Sequence, residues 1–180
     1  PPGEGSMMAI LGMTIDEVEK EISQLSKNNS CEIANDNTNG QVVVSGKTKA
    51  IEMFKEVLKS KKKKGIILPV SAPFHCSLME DAAINMEGKI KSAEFSEPKP
   101  AIISNVTAKE EFDTNKIKTL LIDQITSRVR WKESVEYMIK QGVDNFLEIG
   151  PGKVLSGLVK KIDKNVKVSN INTLEDIKND

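Results

Sequence analysis

Length, composition and charge exclude several classes of protein. The chain has 180 residues, 38% of them hydrophobic and 29% charged, which is typical of a globular chain that can bury a core. Lysine plus arginine equals aspartate plus glutamate at 26 each, so charge gives no reason to expect nucleic acid or an anionic membrane as partner. No apolar run approaches the roughly 20 residues that span a bilayer, and two cysteines indicate a reducing cytoplasm rather than a disulfide framework.

The first 70 residues predict a β-α-β-β-α-β order of elements. SMMAILGM is typical of a buried strand, and TIDEVEKEISQLS predicts a helix opened by a capping box between Thr14 and Glu17. CEIAND and GQVVVSG predict a hairpin joined by the turn NDNTNG, KTKAIEMFKEVLKS predicts a second helix, and GIILPVS predicts another strand. This order is the signature of a ferredoxin-like unit, so we predict such a unit over residues 1–70.

From residue 71 onward the pattern changes to alternating helices and strands. Helices are predicted near residues 78–90, over 116–126, and from Trp131 to a stop at Gly142, with a strand over AIISNVT. VDNFLEIGPGKVLSGLVKKI then predicts a strand, a Gly-Pro-Gly turn and a helix. Strands that alternate with helices favour a parallel α/β sheet, and the few strands visible here suggest only part of one. Since the chain opens on PPGEG without a methionine, we expect a piece of a longer protein.

The single histidine, His75, lies in LPVSAPFHCSLME between a predicted strand and a predicted helix. Ligands gather at the carboxyl ends of strands in open α/β sheets, and an imidazole exchanges protons near neutral pH, so this residue is a candidate general base. The alternative is a packed or surface imidazole. Cys76 is disfavoured as its nucleophile because consecutive side chains diverge, and Cys31 is predicted to be a small buried hydrophobe. No G-x-S-x-G elbow that would expose a serine occurs in the chain.

Three further features predict no site by themselves. The GPGK stretch lacks the spacing of a phosphate-binding Walker loop, although a strand-to-helix turn leaves N–H groups that could face a ligand. The run KSKKKK, residues 59–64, is most simply a solvated helix end, and docking of an acidic partner is the alternative. One histidine and two separated cysteines make no cluster of metal ligands, so no metal is expected.

Several longer stretches together resemble the malonyl-CoA:acyl carrier protein transacylases of bacterial fatty acid synthesis. They are NDNTNGQVVVSG, LPVSAPFHCSLM, ISNVTA and VRWKESVEYMIKQGVDNFLEIGPGKVLSGL. The resemblance runs from residue 1 to about residue 162. In that family a small ferredoxin-like subdomain is inserted into a large, hydrolase-like α/β subdomain. The resemblance therefore implies that residues 1–70 are the small subdomain and that residues 71–180 are the C-terminal part of the large parallel α/β subdomain.

The resemblance also implies a mechanism and roles for five residues. In the family, a serine on a Gly-His-Ser-Leu-Gly elbow takes the malonyl group from coenzyme A and passes it to the phosphopantetheine thiol of acyl carrier protein. His75 matches the histidine that takes the serine proton, and Gln124 matches a glutamine whose carbonyl orients that histidine. Phe74 matches a bulky position that goes with malonyl over branched acyl groups. Asn35 and Asn37 match asparagines that border the acyl channel.

Other family features have no equivalent in the 180 residues. The elbow serine, the arginine that pairs with the malonyl carboxylate and a glutamine motif near the oxyanion hole lie, in the family, before the point where this chain starts. We therefore expect a C-terminal portion that is inactive alone, from a cytoplasmic, monomeric enzyme with malonyl-CoA as substrate, acyl carrier protein as partner and no cofactor. Two alternatives remain: an acyltransferase domain of a polyketide synthase, and a non-catalytic ferredoxin-like binding module.

Overall fold

The computed structural model describes residues 3–25 and 30–178, and its first half is an antiparallel sheet with two helices. The strands are β1 (Gly5–Leu11), β2 (Cys31–Thr38), β3 (Gln41–Lys47) and β4 (Lys64–Ile67), and the helices are α1 (Ile15–Ser23) and α2 (Thr48–Ser60). The sheet order is β2-β3-β1-β4, and each neighbouring pair is antiparallel. The β-α-β-β-α-β order predicted from the sequence is observed. Pro1, Pro2 and Ser26, the last residue of the predicted first helix, lie outside the described residues.

Alternating residues of the central strands divide the apolar contacts between the two faces of this sheet. One face lies under both helices, where buried side chains from the strands meet those of the helices. This cluster contains Met8, Ile10, Val42, Val44, Val18, Ile51, Phe54 and Leu58. The other face carries no helix of the first half, and it buries Met7, Ala9, Ala34 and Val43. Both faces of the sheet are therefore apolar, and the partly buried Leu68 packs against this second cluster.

The edge strand β2 differs from the predicted hairpin strand in length and in regularity. It continues to Thr38, so the turn is only Asn39 and Gly40, where Gly40 adopts a φ of +94° that favours glycine. Register shifts interrupt its pairing with β3 between Ile33 and Asn35 and again after Asp36. Such bulges bend an edge strand and turn its outer edge away from regular pairing. A segment of the second half pairs with this edge.

The second half contains helices and short strands. Its elements are a 3-10 turn (Ser77–Met79), α3 (Glu80–Ser92), β5 (Ile102–Ile103), β6 (Glu110–Glu111), α4 (Thr114–Asp123), α5 (Trp131–Lys140), β7 (Asn145–Ile149), α6 (Val154–Ile162), β8 (Lys167–Ile171) and a final 3-10 turn (Asp176–Lys178). Strands β7 and β8 pair in parallel, as the alternating pattern predicted, although β8 itself was not predicted. Val135, Val159 and Val166 form the buried centre of the packing between α5, α6 and these strands.

Two predicted elements of this half differ from the observed ones. The strand predicted over AIISNVT is reduced to the two residues of β5, because Ala108 donates its N–H to the Ser104 carbonyl and turns the chain back onto β6. The helix predicted over 116–126 is α4, which begins earlier because the Asp113 carboxylate accepts the N–H groups of Asn115 and Lys116. An aspartate at this position is a typical N-cap, so the local sequence contained the correct start.

Two glycines give a matched test of the packing around β3. A Cβ at Gly46 would lie 1.9 Å from the Ser30 carbonyl oxygen, whereas one at Gly88 in α3 would meet nothing within 4 Å. We expect Gly46→Ala to lower the free energy of unfolding by about 3 kcal/mol, because backbone atoms must move to admit the methyl group. Gly88→Ala should raise it by about 0.5–1 kcal/mol, since alanine is the better helix former. Urea unfolding followed by circular dichroism measures both, and equal effects would contradict this account.

Candidate functional site

His75 lies in the loop between β4 and the 3-10 turn, and its backbone has a φ of +61°, which residues other than glycine seldom adopt. Its ring is half-buried, and Nδ1 lies 2.9 Å from the backbone carbonyl oxygen of Gln124. A carbonyl can only accept, so Nδ1 carries the hydrogen in this contact. In the neutral ring, Nε2 is then left as an acceptor, which is the tautomer a general base requires.

The partner of His75 is the backbone of Gln124 rather than its side chain. Gln124 ends α4 as its C-cap, where carbonyl groups have no N–H partner within the helix. Its side-chain oxygen instead accepts from the Asn105 amide at 3.4 Å, and the Asn105 carbonyl accepts the N–H of Arg130 at 3.0 Å. The contact predicted through the Gln124 carbonyl is therefore observed as a backbone contact, and the role of orienting a base stays a prediction.

The loop that carries His75 lies on the face of the antiparallel sheet opposite α1 and α2. A Cβ at Gly5 would lie 2.3 Å from the ring of Pro73, so the start of β1 and this loop approach more closely than any side chain would allow. Cys76 is fully buried, and its thiol donates to the Pro73 carbonyl at 3.2 Å. These contacts fix the chain on both sides of His75.

Glu32 holds the residue that begins the 3-10 turn, and sequence reasoning missed it. Its carboxylate accepts the backbone N–H of Ser77 at 3.2 Å and also the Ser77 hydroxyl. The Ser30 hydroxyl donates to the same carboxylate at 3.4 Å. The two main partners lie 45 positions apart in the chain, and no spacing rule links a glutamate in a strand to a serine at such a distance.

The two cysteines are both buried, and they lie on opposite faces of the sheet. Cys76 lies next to the hydroxyl of Ser45, which is the residue paired with Glu32 across the sheet. Cys31 precedes Glu32 in the same strand, and its side chain belongs to the cluster under the helices on the other face. Burial raises the pKa of Cys31 to about 12. Burial also raises the pKa of Cys76. The prediction that Cys31 is a small buried hydrophobe is confirmed.

The other three predicted site residues lie in two separate segments, β2 and the loop that carries His75. Asn35 and Asn37 lie in β2 and are half-buried, and within the described ranges neither amide group makes a hydrogen bond. Phe74 precedes His75 and is 39% exposed. The bulge at Asn35 lies where β2 pairs with Val129, five residues beyond Gln124. The roles predicted for these three residues in binding the acyl group stay predictions.

The GPGK turn is occupied by a carboxylate from its own strand. Glu148 accepts the N–H groups of Leu155 at 3.1 Å and Ser156 at 2.7 Å, which are first-turn donors of α6. The Ser156 side chain, followed by the backbone N–H groups of Ser156 and Leu155, holds the pKa of Glu148 below its usual range. The backbone turns at Gly150 and Gly152, whose φ angles are +135° and +95°. An internal carboxylate therefore accepts two of the N–H groups at this helix N-terminus, where a bound anion would otherwise be favoured.

The basic run at residues 59–64 lies at the end of α2 and contacts other residues of the first half of the chain. Lys61 forms an ion pair with Glu21 of α1, and the Lys63 ammonium donates to the Gly12 carbonyl at 3.0 Å. Lys59 lies near Glu56, with both side chains largely exposed. These contacts fit the solvated helix end predicted from the sequence.

Two further properties concern only the described part of the chain. Within residues 3–25 and 30–178, none of the helices combines the length and the apolar character needed to cross a membrane. The same residues contain no grouping of three or more histidine, cysteine, aspartate or glutamate side chains that could hold a metal ion.

The raised cysteine pKa values predict slow thiol chemistry. The thiolate is the reactive form, so a pKa raised towards 12 leaves almost none of it at pH 8, and burial blocks access as well. We expect a thiol-reactive disulfide reagent at pH 8 to modify the folded chain at least about 100-fold more slowly than the chain unfolded in urea. The unfolded chain should titrate two thiols. Rapid modification of the folded chain would contradict the burial of these residues.

Comparisons with known proteins find named relatives that cover almost the whole of this chain. The malonyl CoA-acyl carrier protein transacylase of Staphylococcus aureus strain MSSA476 is 44% identical over 180 residues, covering 99% of this chain and 58% of that protein. The crystal structure of acyl-carrier-protein-S-malonyltransferase from Bartonella henselae has a TM-score of 0.94 at 40% identity, covering 99% of this chain and 57% of that one. A malonyl-transacylase in complex with a type II polyketide synthase acyl carrier protein, PlMCAT:AntF, gives 0.93 at 33% identity, covering 99% and 58%.

These relatives are longer than the chain. It spans about 58% of the length of the curated protein from Staphylococcus aureus, so its match is complete on its own side and partial on the other. No family model matches the sequence. Across its own length, the identity to named transacylases and the superposition on their solved structures show that the chain belongs to the malonyl CoA-acyl carrier protein transacylase family.

Proposed function

We propose that this chain supplies the histidine base and one wall of the acyl cleft of a malonyl-CoA:acyl carrier protein transacylase. The observation that carries the proposal is the 2.9 Å contact between His75 Nδ1 and the Gln124 carbonyl, which leaves Nε2 as an acceptor. The reaction is acyl transfer from the thioester of coenzyme A to a serine, and then to the phosphopantetheine thiol of the carrier protein. The serine comes from the part of the relatives that this chain does not match.

The proposed chemistry of His75 balances over two half-reactions. Nε2 takes the proton of the serine hydroxyl as its oxygen bonds to the malonyl carbonyl carbon, and the resulting imidazolium protonates the departing sulfur of coenzyme A. In the second half, Nε2 takes the proton of the carrier thiol as its sulfur attacks the acyl-enzyme, and returns it to the serine oxygen. Throughout both half-reactions the hydrogen stays on Nδ1, which donates it to the Gln124 carbonyl. Neither half-reaction oxidises or reduces any atom, and neither requires a Lewis acid, so we expect no cofactor.

The substrate side of the proposal rests on Phe74, Asn35 and Asn37. We assign Phe74 to the wall that limits branching of the acyl group, because its ring is partly exposed beside His75. We assign the two asparagines to the border of the acyl channel, where half-buried free amide groups can meet a polar acyl group. The PlMCAT:AntF complex supports an acyl carrier protein as the partner. A cytoplasmic, monomeric full-length enzyme is the form we propose.

The two halves of the chain support a division at residue 70. We propose that residues 1–70 form the ferredoxin-like subdomain and that residues 71–180 belong to a larger hydrolase-like α/β subdomain. Among the described residues β7 has a strand neighbour on one side only, β8. Ile149, at the end of β7, and Val154, at the start of α6, are 75% and 72% exposed. An open edge with apolar neighbours is a place where further strands pair.

A carrier protein of polyketide synthesis is the second candidate partner. The match to a transacylase that binds a type II polyketide carrier, at 33% identity, supports this partner. The transacylase of Staphylococcus aureus is more similar to the chain, at 44% identity. The chemistry at His75 is the same for either carrier. A non-catalytic ferredoxin-like module receives no such support, because the similarity to named transacylases extends over 99% of the chain.

A chimera tests the proposed base. In the Staphylococcus aureus relative, the matched 58% is replaced by this chain, and transfer of malonyl from malonyl-CoA to acyl carrier protein is measured. We expect the chimera to be active and His75→Ala to lower kcat by about 10²–10⁴-fold, because the serine loses its base. Lys59→Ala, at the exposed end of α2, is the control and should leave kcat unchanged.

Two outcomes would overturn this assignment. One is a His75→Ala chimera that is folded and fully active. The other is covalent labelling of the isolated 180-residue chain by radiolabelled malonyl-CoA, because the proposal takes the nucleophile from elsewhere.

The same chimera tests the role of Phe74 in selectivity. We expect Phe74→Ser to raise the rate with methylmalonyl-CoA relative to malonyl-CoA by about tenfold or more, because the smaller side chain leaves room for an α-methyl group. Phe112→Ser is the matched control, since Phe112 is also a partly exposed phenylalanine, at 48%, but lies on the β6–α4 connection. An unchanged ratio of the two rates in Phe74→Ser would remove Phe74 from the acyl wall.

A further inference from the structure

We propose that Glu32 is a positioning residue for His75, and this inference rests on the proposed function of that histidine. Glu32 does not touch the imidazole. Its carboxylate binds the N–H and the hydroxyl of Ser77, two residues further along the chain. The role we assign is to keep the backbone at His75 in the conformation that brings Nδ1 to the Gln124 carbonyl.

The backbone at His75 is strained. A φ of +61° is unfavourable for a residue with a side chain, so this conformation persists only where the neighbouring chain is held on both sides. On the side before His75, Pro73 is pressed against Gly5 of β1. On the side after it, Cys76 is buried and Ser77 is bound.

The 3-10 turn after His75 has no cap of its own. Cys76 occupies the N-cap position and makes no side-chain hydrogen bond to the turn. The first N–H groups of such a turn lack partners within it. Glu32 supplies one from another strand, and a hydrogen bond to a carboxylate is stronger than one between neutral groups. A negative charge at this end also suits the dipole of the turn and of α3, which follows it.

Strand β2 binds the two segments that carry the partners of the His75 contact. Near its start, Glu32 fixes Ser77 and thereby the histidine loop. Further along, Asp36 donates its N–H to the Val129 carbonyl at 3.0 Å, and Val129 donates to the Ala34 carbonyl at 2.7 Å, which fixes the segment that follows Gln124. The length of one strand therefore sets the separation of the imidazole from its acceptor. Loss of Glu32 frees the histidine end and leaves the acceptor end in place.

The single histidine makes the test direct. In the ¹⁵N-labelled 180-residue chain, His75 gives the only imidazole signals, so its Nδ1–H is observed without assignment by mutation. We expect this proton to be slowed in exchange by the Gln124 carbonyl in the unaltered chain. In Glu32→Ala, exchange should be about tenfold faster or more, and Glu32→Gln should restore it because the amide oxygen still accepts the Ser77 N–H.

Glu17→Ala is the matched control. Glu17 accepts the N–H and the hydroxyl of Thr14, the same two groups that Glu32 accepts from Ser77, but it does so at the start of α1. A general loss of stability from a missing cap should appear in both alanine variants, whereas only Glu32→Ala should change the His75 ring signals. Urea unfolding of each variant measures that general loss.

Several results would overturn the inference. An unchanged Nδ1–H exchange rate in folded Glu32→Ala is one, and an equal change in Glu17→Ala is another. Should Glu32→Ala fail to fold, Ser77→Ala decides: it removes the hydroxyl donor and keeps the N–H, so we expect exchange about threefold faster, and an unchanged rate overturns the role. The imidazole signal does not depend on acyl transfer. An inactive chimera with the expected ring signals would therefore contradict the proposed function and leave the positioning role intact.

Discussion

The candidate site depends on two backbone hydrogen bonds at the edge of the antiparallel sheet, which join the two halves of the structure. They connect Asp36 and Ala34 of β2 with Val129, which follows the end of α4. Bulges bend β2 so that its outer edge meets this single residue instead of a full strand. Without this pairing, the Gln124 carbonyl would have no fixed distance from a histidine carried by a loop on the sheet.

The energetics of the histidine loop are a balance between strain and anchoring. A residue other than glycine in the left-handed region costs about 1–3 kcal/mol. Hydrogen bonds to a charged group contribute about 1.5–3 kcal/mol each, and the carboxylate of Glu32 accepts two from Ser77. The close contact between Gly5 and Pro73 and the burial of Cys76 add to the anchoring. The loop therefore holds a strained histidine in one orientation, which the proposed role of this histidine as a general base requires.

The acceptor of His75 also differs from the carboxylate of a serine-histidine-aspartate triad. A backbone carbonyl fixes the tautomer and the ring orientation, but it lacks the full negative charge that stabilises an imidazolium. Because the contact uses the backbone, it depends on where α4 ends rather than on the type of side chain at position 124. The side chain of Gln124 is instead used to hold Asn105, which links α4 to the segment that reaches β2.

The sequence by itself determined the features that are encoded within a few neighbouring residues. Apolar spacing and the Thr14–Glu17 capping box predicted the element order of the first half. The resemblance of whole stretches predicted the family, which the relatives confirm, and it named His75 as the candidate base, which stays a prediction. The strand β8, the pairing of Ala34 and Asp36 with Val129, the left-handed backbone of His75 and the clasp of Ser77 by Glu32 were decided only by the tertiary structure. The physical reason is range. Periodicity and capping act over three or four residues, whereas a carboxylate and an N–H that lie 45 positions apart meet only after the sheet and the loop have packed together.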